Sequence, residues 1–178
     1  MGVSLGLESP LFVAATAGEL VTMWRIELLH PATIHFPIAL TIVGTVFWLA
    51  GGLRRRWPRL GAFDIVGSVT LLLAGLGVWV AVQTGLWADE VVGRDLYDPR
   101  PLKDHENAGW TLAWLMTGTV AVDLARRRRQ IPPKVRQASW LAVAVALLAA
   151  NGLVVYTAHL GASLVYQQGV GVQAPPQE

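Results

Sequence analysis

Leu29-His30-Pro31-Ala32-Thr33-Ile34-His35-Phe36-Pro37-Ile38-Ala39-Leu40 places two histidines at the mouth of an apolar run that continues to Leu53 and stops at Arg54-Arg55-Arg56. A histidine at the edge of a membrane span is costly unless it is hydrated, paired or bound to something. The run from Pro31 to Leu53 meets the requirement of about 20 apolar residues for a helix that crosses a bilayer. Pro31 suits the first helical position, where a missing N–H costs nothing. Pro37 lies further in and is expected to kink the first turns and open a gap beside His35.

Three further apolar runs follow, from about Phe63 to Trp87, from His105 to Ala125, and from about Ser139 to Tyr166. The composition agrees: 53% of the 178 residues are hydrophobic and 15% charged, with a mean hydropathy of +0.46. A soluble domain carries about 25% charged residues. The fold class that follows is all-α, an integral membrane four-helix bundle. Residues 30–172 form its four-span domain. Residues 1–29 form an N-terminal segment, with a short interfacial amphipathic helix over Gly18–Leu29 and Trp24 at headgroup depth. Residues 173–178 are a tail, and the chain is expected to be irregular from Gly169. No internal repeat stands out.

Arginine and lysine gather in two blocks, Arg54–Arg59 and Arg126–Arg136, each between two apolar runs. They read as topology determinants rather than as a nucleic-acid surface, and no nucleic-acid partner is expected. The positive-inside rule puts both blocks in the cytoplasm of a bacterial inner membrane, with both termini and the loop Asp89–Asp104 in the periplasm. Met1–Leu20 holds no basic residue and so lacks the charged region of a secretory signal. Asp64 opens the second run, where a carboxylate favours the helix dipole and pairs with a nearby arginine. Asp104 suits the N-cap of the third.

The histidines carry the functional signal. Counted at 1.5 Å per residue from the cytoplasmic end of each run, His35 lies at about 27 Å and His105 and His159 at about 30 Å, with His30 about 7 Å further out than His35. All four therefore gather near the outer face. His30 and His35 point roughly 140° apart on their helix, so they serve different centres if both are ligands. The chain has no cysteine, which excludes disulfides, cysteine-ligated iron–sulfur clusters and covalently attached c-type haem. The runs contain no carboxylate cluster to suit zinc or a di-iron centre. Bis-histidine haem b suits histidines on separate helices, one haem or two. His35 and His159 are the leading axial pair, and His30 and His105 a second. Gly161 and Ala162 leave room for the ring edge beside His159. Gly77, Ala81 and Gly85 form a small-residue stripe for another helix or a flat ligand. Gln83 and Asp89 are candidate second partners of the ligands. Asn151, in the middle of its run, is expected to hydrogen-bond across the bundle. No catalytic triad, phosphate loop or zinc-protease motif is present.

Two stretches carry a resemblance. His30-Pro31-x-x-x-His35-Phe36-Pro37-Ile38-Ala39-Leu40, together with His159-Leu160-Gly161-Ala162-x-Leu164-Val165-Tyr166-x-x-Gly169-Val170-Gly171-Val172, resembles an uncharacterised family of bacterial four-helix membrane proteins known as a domain of unknown function. The resemblance covers about Leu29 to Val172. It implies a polytopic domain that binds b-type haem through its histidines and occurs beside, or fused to, Rieske-type or c-type cytochrome modules. Many relatives have histidine before the terminal Gly-Val-Gly-Val, where this chain has Gln168, and a Gly-Gly pair where Ala162 stands second. That departure weighs against two haems more than against one.

The function expected is a haem b redox subunit of the membrane that passes electrons near the outer face to a neighbouring redox protein or larger complex. It is more an electron-transfer subunit than a stand-alone enzyme. The alternatives are a non-redox accessory subunit whose histidines are structural, and a small proton or metal-ion channel or transporter. The last is weakened by the shortage of ionisable residues below the histidine layer.

Overall fold

The computed structural model describes residues 25–128 and 130–172. Four helices account for most of them: α1 (Leu29–Gly52), α2 (Gly61–Val92), α3 (Arg100–Arg126) and α4 (Pro133–Gln168). Short 3-10 turns flank them, and no strand occurs among the described residues. Of the amphipathic helix expected over Gly18–Leu29, the part before Arg25 lies outside the described residues, and Ile26–Leu28 form a 3-10 turn leading into α1; the tail from Gln173 also lies outside.

Alternate helices run in opposite directions. Gly51 of α1 meets the backbone of Asp64 in α2, and His30 of α1 meets Gly85 of α2. Ser68 of α2 bonds to Asp123 of α3, and Trp48 of α1 stacks on Trp140 of α4. The bundle thus has a histidine end and an arginine end. α1, α2 and α4, with their flanking turns, are long and apolar enough to cross a membrane. α3 is less apolar because its first turns carry Lys103, Asp104, His105, Glu106 and Asn107, and because Asp123 stands near its other end.

The core holds Trp48, Leu71, Ala74, Val78, Met116 and Leu147 at its centre. Packing in lipid is driven by close contact, since lipid tails are as apolar as the side chains. Glycine supplies that contact between α1 and α2. A Cβ on Gly67 would lie 2.4 Å from Trp48 N, and one on Gly51 would lie 2.4 Å from Asp64 N. Gly77, in the small-residue stripe, faces Pro37, and Gly85 faces His30. The stripe therefore admits α1 and not a flat ligand. Pro37 is buried in that contact.

The bundle is a duplicated hairpin, contrary to the reading of the sequence. A shift of 75 residues carries the buried Pro37, Thr41, Gly44, Trp48 and Gly51 onto the buried Leu112, Met116, Thr119, Asp123 and Arg126. A shift of 76 carries Gly67, Ser68, Leu71, Ala74 and Val78 onto Val143, Ala144, Leu147, Ala150 and Val154. The repeat lives in the phase of burial, while residue identities have diverged, so the sequence hides it. Equivalent residues touch each other: His30 packs on His105, and Trp48 bonds to Asp123. A pseudo-two-fold axis therefore runs down the bundle between α1 and α3. The halves are unequally tight, because Gly44, Gly51 and Gly67 in the first hairpin become Thr119, Arg126 and Val143 in the second. α1 and α2 are accordingly in closer contact than α3 and α4.

Helix ends also differ from expectation. α1 starts at Leu29, so Pro31 sits two positions inside, still in the first turn where no N–H is needed. α3 starts at Arg100, so Asp104 is inside the helix rather than its N-cap. Pro99 is the N-cap, and just before it Asp98 accepts from the Arg100 backbone N–H at 3.0 Å. The long polar loop shrinks because α2 persists to Val92 and a 3-10 turn covers Gly93–Asp95. α4 starts at Pro133, six residues before Ser139. It ends at Gly169, whose φ of 68° places it in the left-handed region. The N–H groups of Gly169 and Val170 close back on Val165 and Leu164, so the last carbonyls are satisfied.

A paired-histidine candidate site

His30 and His105 come together at one end of the pseudo-axis. Their ring centroids are 5.9 Å apart and their planes are 88° from parallel. Each ring is fixed in the same way. His30 Nδ1 lies 2.9 Å from the Ala81 carbonyl oxygen, and His105 Nδ1 lies 2.9 Å from the Thr157 carbonyl oxygen. A carbonyl only accepts, so each Nδ1 carries the proton, and in the neutral ring Nε2 holds the lone pair. Ala81 and Thr157 stand one turn before Gly85 and Gly161. Those glycines admit the rings: an added Cβ would meet His30 Cε1 at 3.2 Å and His105 Cε1 at 3.1 Å. The room expected beside His159 for a ligand edge is thus taken by His105. Around His30 two threonines add polar contacts, with Thr84 Oγ1 3.4 Å from Nδ1 and 3.1 Å from Thr33 Oγ1.

His35 and His159 are placed differently. Both are exposed, and neither ring takes part in a hydrogen bond or ring contact among the described residues. Gln83 and Asp89 are exposed as well and bond to no histidine. The divergence of His30 and His35 around α1 follows the helical phase read from the sequence. Gln168 ties the far end of α4 to the loop before α3, its Oε1 accepting from the Asp98 N–H at 3.1 Å. Asn151 bonds across the bundle to Thr45 Oγ1 at 2.9 Å, as expected. Among the described residues no three histidine, aspartate or glutamate side chains cluster as a metal site. What the fold offers a metal is a pair of imidazoles and no carboxylate.

The other end holds a network that the sequence reading missed. Asp123 is buried and accepts from Trp48 Nε1 at 2.6 Å, Ser68 Oγ at 2.5 Å and Arg126 Nε at 2.8 Å. Arg126 is buried too and lies 5.0 Å over the Trp48 ring. Asp64 pairs with Arg54 at 2.9 Å and with Arg127 at 3.1 Å, as its position in the sequence foretold. Arg127 also reaches Asp123 and Ser68. This lock joins α1, α2 and α3. Its signal was one carboxylate placed a turn before an arginine run, inside an otherwise apolar stretch.

The fold defines an all-α membrane bundle with paired imidazoles at one end and a buried ion-pair lock at the other. Residues 27–174 match the family model of predicted membrane proteins DUF2231, and the chain belongs to that family. No curated protein and no solved structure matches it.

Proposed function

We propose that the protein is a haem b electron-transfer subunit of the bacterial inner membrane, with His30 and His105 as the axial pair of one centre. One observation carries the reading: two imidazoles from the two halves of the bundle meet, each with Nδ1 committed to a carbonyl and no bond to Nε2 among the described residues. A metal-ligating histidine characteristically donates its other N–H in this way, which fixes the tautomer and the ring orientation. The ring centroids stand 5.9 Å apart, edge to face. Two imidazoles oriented in this way are a donor set of the kind that would hold haem iron, which would supply a one-electron couple when bound. His35 and His159 lack an orienting bond and take second place, as the pair of a second centre.

The arginine-rich end supports an orientation with four spans, both termini in the periplasm and the histidines near the outer face. A single centre near one face does not carry electrons across the bilayer. A redox protein or larger complex on the outer side is therefore part of the reading.

The accessory-subunit reading rests on the same bonds, since His30 fastens α1 to α2 and His105 fastens α3 to α4 without any cofactor. The channel reading gains nothing from the ionisable residues of the lock, which are paired with one another. Iron and haem analysis of the purified protein separates the readings. One haem per chain is expected; two would add the His35–His159 centre, and none would leave the accessory role.

A further inference from the structure

The paired histidines are fixed by the same kind of carbonyl, yet their surroundings differ. The shifts that relate the two hairpins place His30 on His105, Ala81 on Thr157 and Gly85 on Gly161. The same shifts place Thr84 on Leu160 and Thr33 on Ala108. His30 therefore has two hydroxyls beside it where the corresponding positions around His105 carry hydrocarbon side chains.

Thr84 is only 5% exposed, and its hydroxyl is where these contacts converge. On α1, His30 Nδ1 lies 3.4 Å and Thr33 Oγ1 3.1 Å from Thr84 Oγ1. On α2, the carbonyl oxygens of Val80 and Ala81 lie at 3.0 and 3.1 Å. A hydroxyl has one proton to give and two lone pairs with which to accept. The Thr84 proton goes to one of the carbonyls or to Thr33, and its oxygen then faces the Nδ1–H as a second acceptor beside the Ala81 carbonyl. Thr33 also reaches the His30 carbonyl at 3.1 Å, so the two hydroxyls tie both the ring and the backbone of His30 to α2. Thr41 and Thr70 show the ordinary habit of a helical threonine, bonding back to Pro37 and Val66 of their own helix. Thr84 does this as well and reaches across to α1. His105 Nδ1 has the Thr157 carbonyl at 2.9 Å and no side-chain acceptor among the described residues.

We infer that Thr84 is a positioning residue of the paired-histidine site, holding the His30 ring in one tautomer and one orientation so that the two imidazoles are unequal donors, a role that rests on the reading of the pair as axial ligands. A second acceptor on Nδ1–H draws electron density toward Nε2, as a hydrogen-bonded partner does for a ligating histidine. His30 is thereby the stronger donor and the more firmly held, and His105 the weaker and the freer to turn.

The test uses the full chain in detergent, freed of metal, with haem b added as the probe. Thr84→Val keeps the shape of the side chain and removes its oxygen, while Thr84→Ser keeps the oxygen. Haem should bind Thr84→Val about ten-fold more weakly than wild type, the lower end of the loss that follows removal of a partner to a ligating imidazole. The midpoint potential should be higher in Thr84→Val, because a weaker donor stabilises ferric iron less, and Thr84→Ser should restore both values. Nitrogen-15 NMR of the metal-free chain reads the ring directly. The His30 ring N–H should exchange with water faster in Thr84→Val than in wild type or Thr84→Ser, with His105 unchanged. Unaltered exchange at His30 overturns the positioning role whether or not haem binds. So does a potential that Thr84→Val leaves in place or that Thr84→Ser fails to restore. A wild type that binds no haem overturns the axial-ligand reading of the pair, and exchange at His30 then decides the positioning on its own.

Discussion

Gly67 and Asp123 show how single residues set this bundle. A methyl group on Gly67 would stand 2.4 Å from Trp48 N and 2.6 Å from its Cα, and backbone does not yield as a side chain does. Gly67→Ala should therefore lower stability by about 1–3 kcal/mol through overpacking. Gly118 and Gly152 have nothing within 4 Å of an added Cβ. Gly118→Ala and Gly152→Ala should raise stability by about 0.5–1 kcal/mol, because alanine loses less conformational freedom in a helix. Thermal midpoints in one detergent check both signs, and a stabilising Gly67→Ala would contradict the packing of α1 on α2. Asp123 answers for two arginines, one of them buried. Asp123→Leu leaves Arg126 without its nearest counter-charge, and breaking a buried pair in this way costs about 3–5 kcal/mol. A midpoint equal to that of wild type would mean that the lock contributes nothing. Of these residues Gly67 carried no readable sign, because a helix glycine announces close approach only once its neighbour is known. Asp123 was readable, as a lone acid beside an arginine run.

At the scale of elements, the apolar runs were legible because each is long and bounded by charge or proline. Their ends were less so, since a helix continues into polar residues when a neighbour satisfies its termini. The start of α3 is an example. Asp98 accepts from both the backbone N–H and Nε of Arg100, and these bonds hold its carboxyl below the usual carboxylate range. A depressed folded-state pKa means that the contribution to stability is present above the ordinary carboxylate pKa and is lost as pH falls through the folded value. Amide exchange at Arg100 should therefore be slow at neutral pH and lose protection on acidification, after correction for intrinsic rates. Asp98→Ala should exchange faster than wild type at neutral pH, the difference shrinking as Asp98 becomes protonated. Exchange at Arg100 that is the same in wild type and variant at neutral pH would mean that the Asp98 bond does not protect the start of α3. The duplicated hairpin was the element-scale feature that the sequence concealed. Burial phase survives when residue identity does not, and phase at the matching positions becomes visible only after the helices are packed.

For the whole molecule, the distribution of charge carries the proposed orientation, and the pseudo-axis brings the His30–His105 pair together. Both arginine-rich loops lie at one end, so reporter fusions after Gln130 should report the cytoplasm and fusions at the C-terminus the periplasm. A cytoplasmic C-terminus would contradict either the fourth span or the orientation. That His30 and His105 lie at one end was legible, because rise per residue is fixed. The pairing was not, since which imidazoles converge depends on the order of helices around the axis. His30 and His105 are equivalent residues of the two hairpins, and equivalent residues beside a two-fold axis meet. His35 corresponds to Trp110 and His159 to Gln83, so neither has a histidine as its counterpart. The measurement that tests the central claim most directly is the reduced-minus-oxidised optical spectrum of purified wild type and of His30→Ala, His105→Ala, His35→Ala and His159→Ala. The account predicts a b-type haem spectrum in wild type that is lost or strongly altered in His30→Ala and His105→Ala and retained in the other two. A wild type without a haem spectrum, or a spectrum unchanged by loss of His30 and of His105, would contradict it.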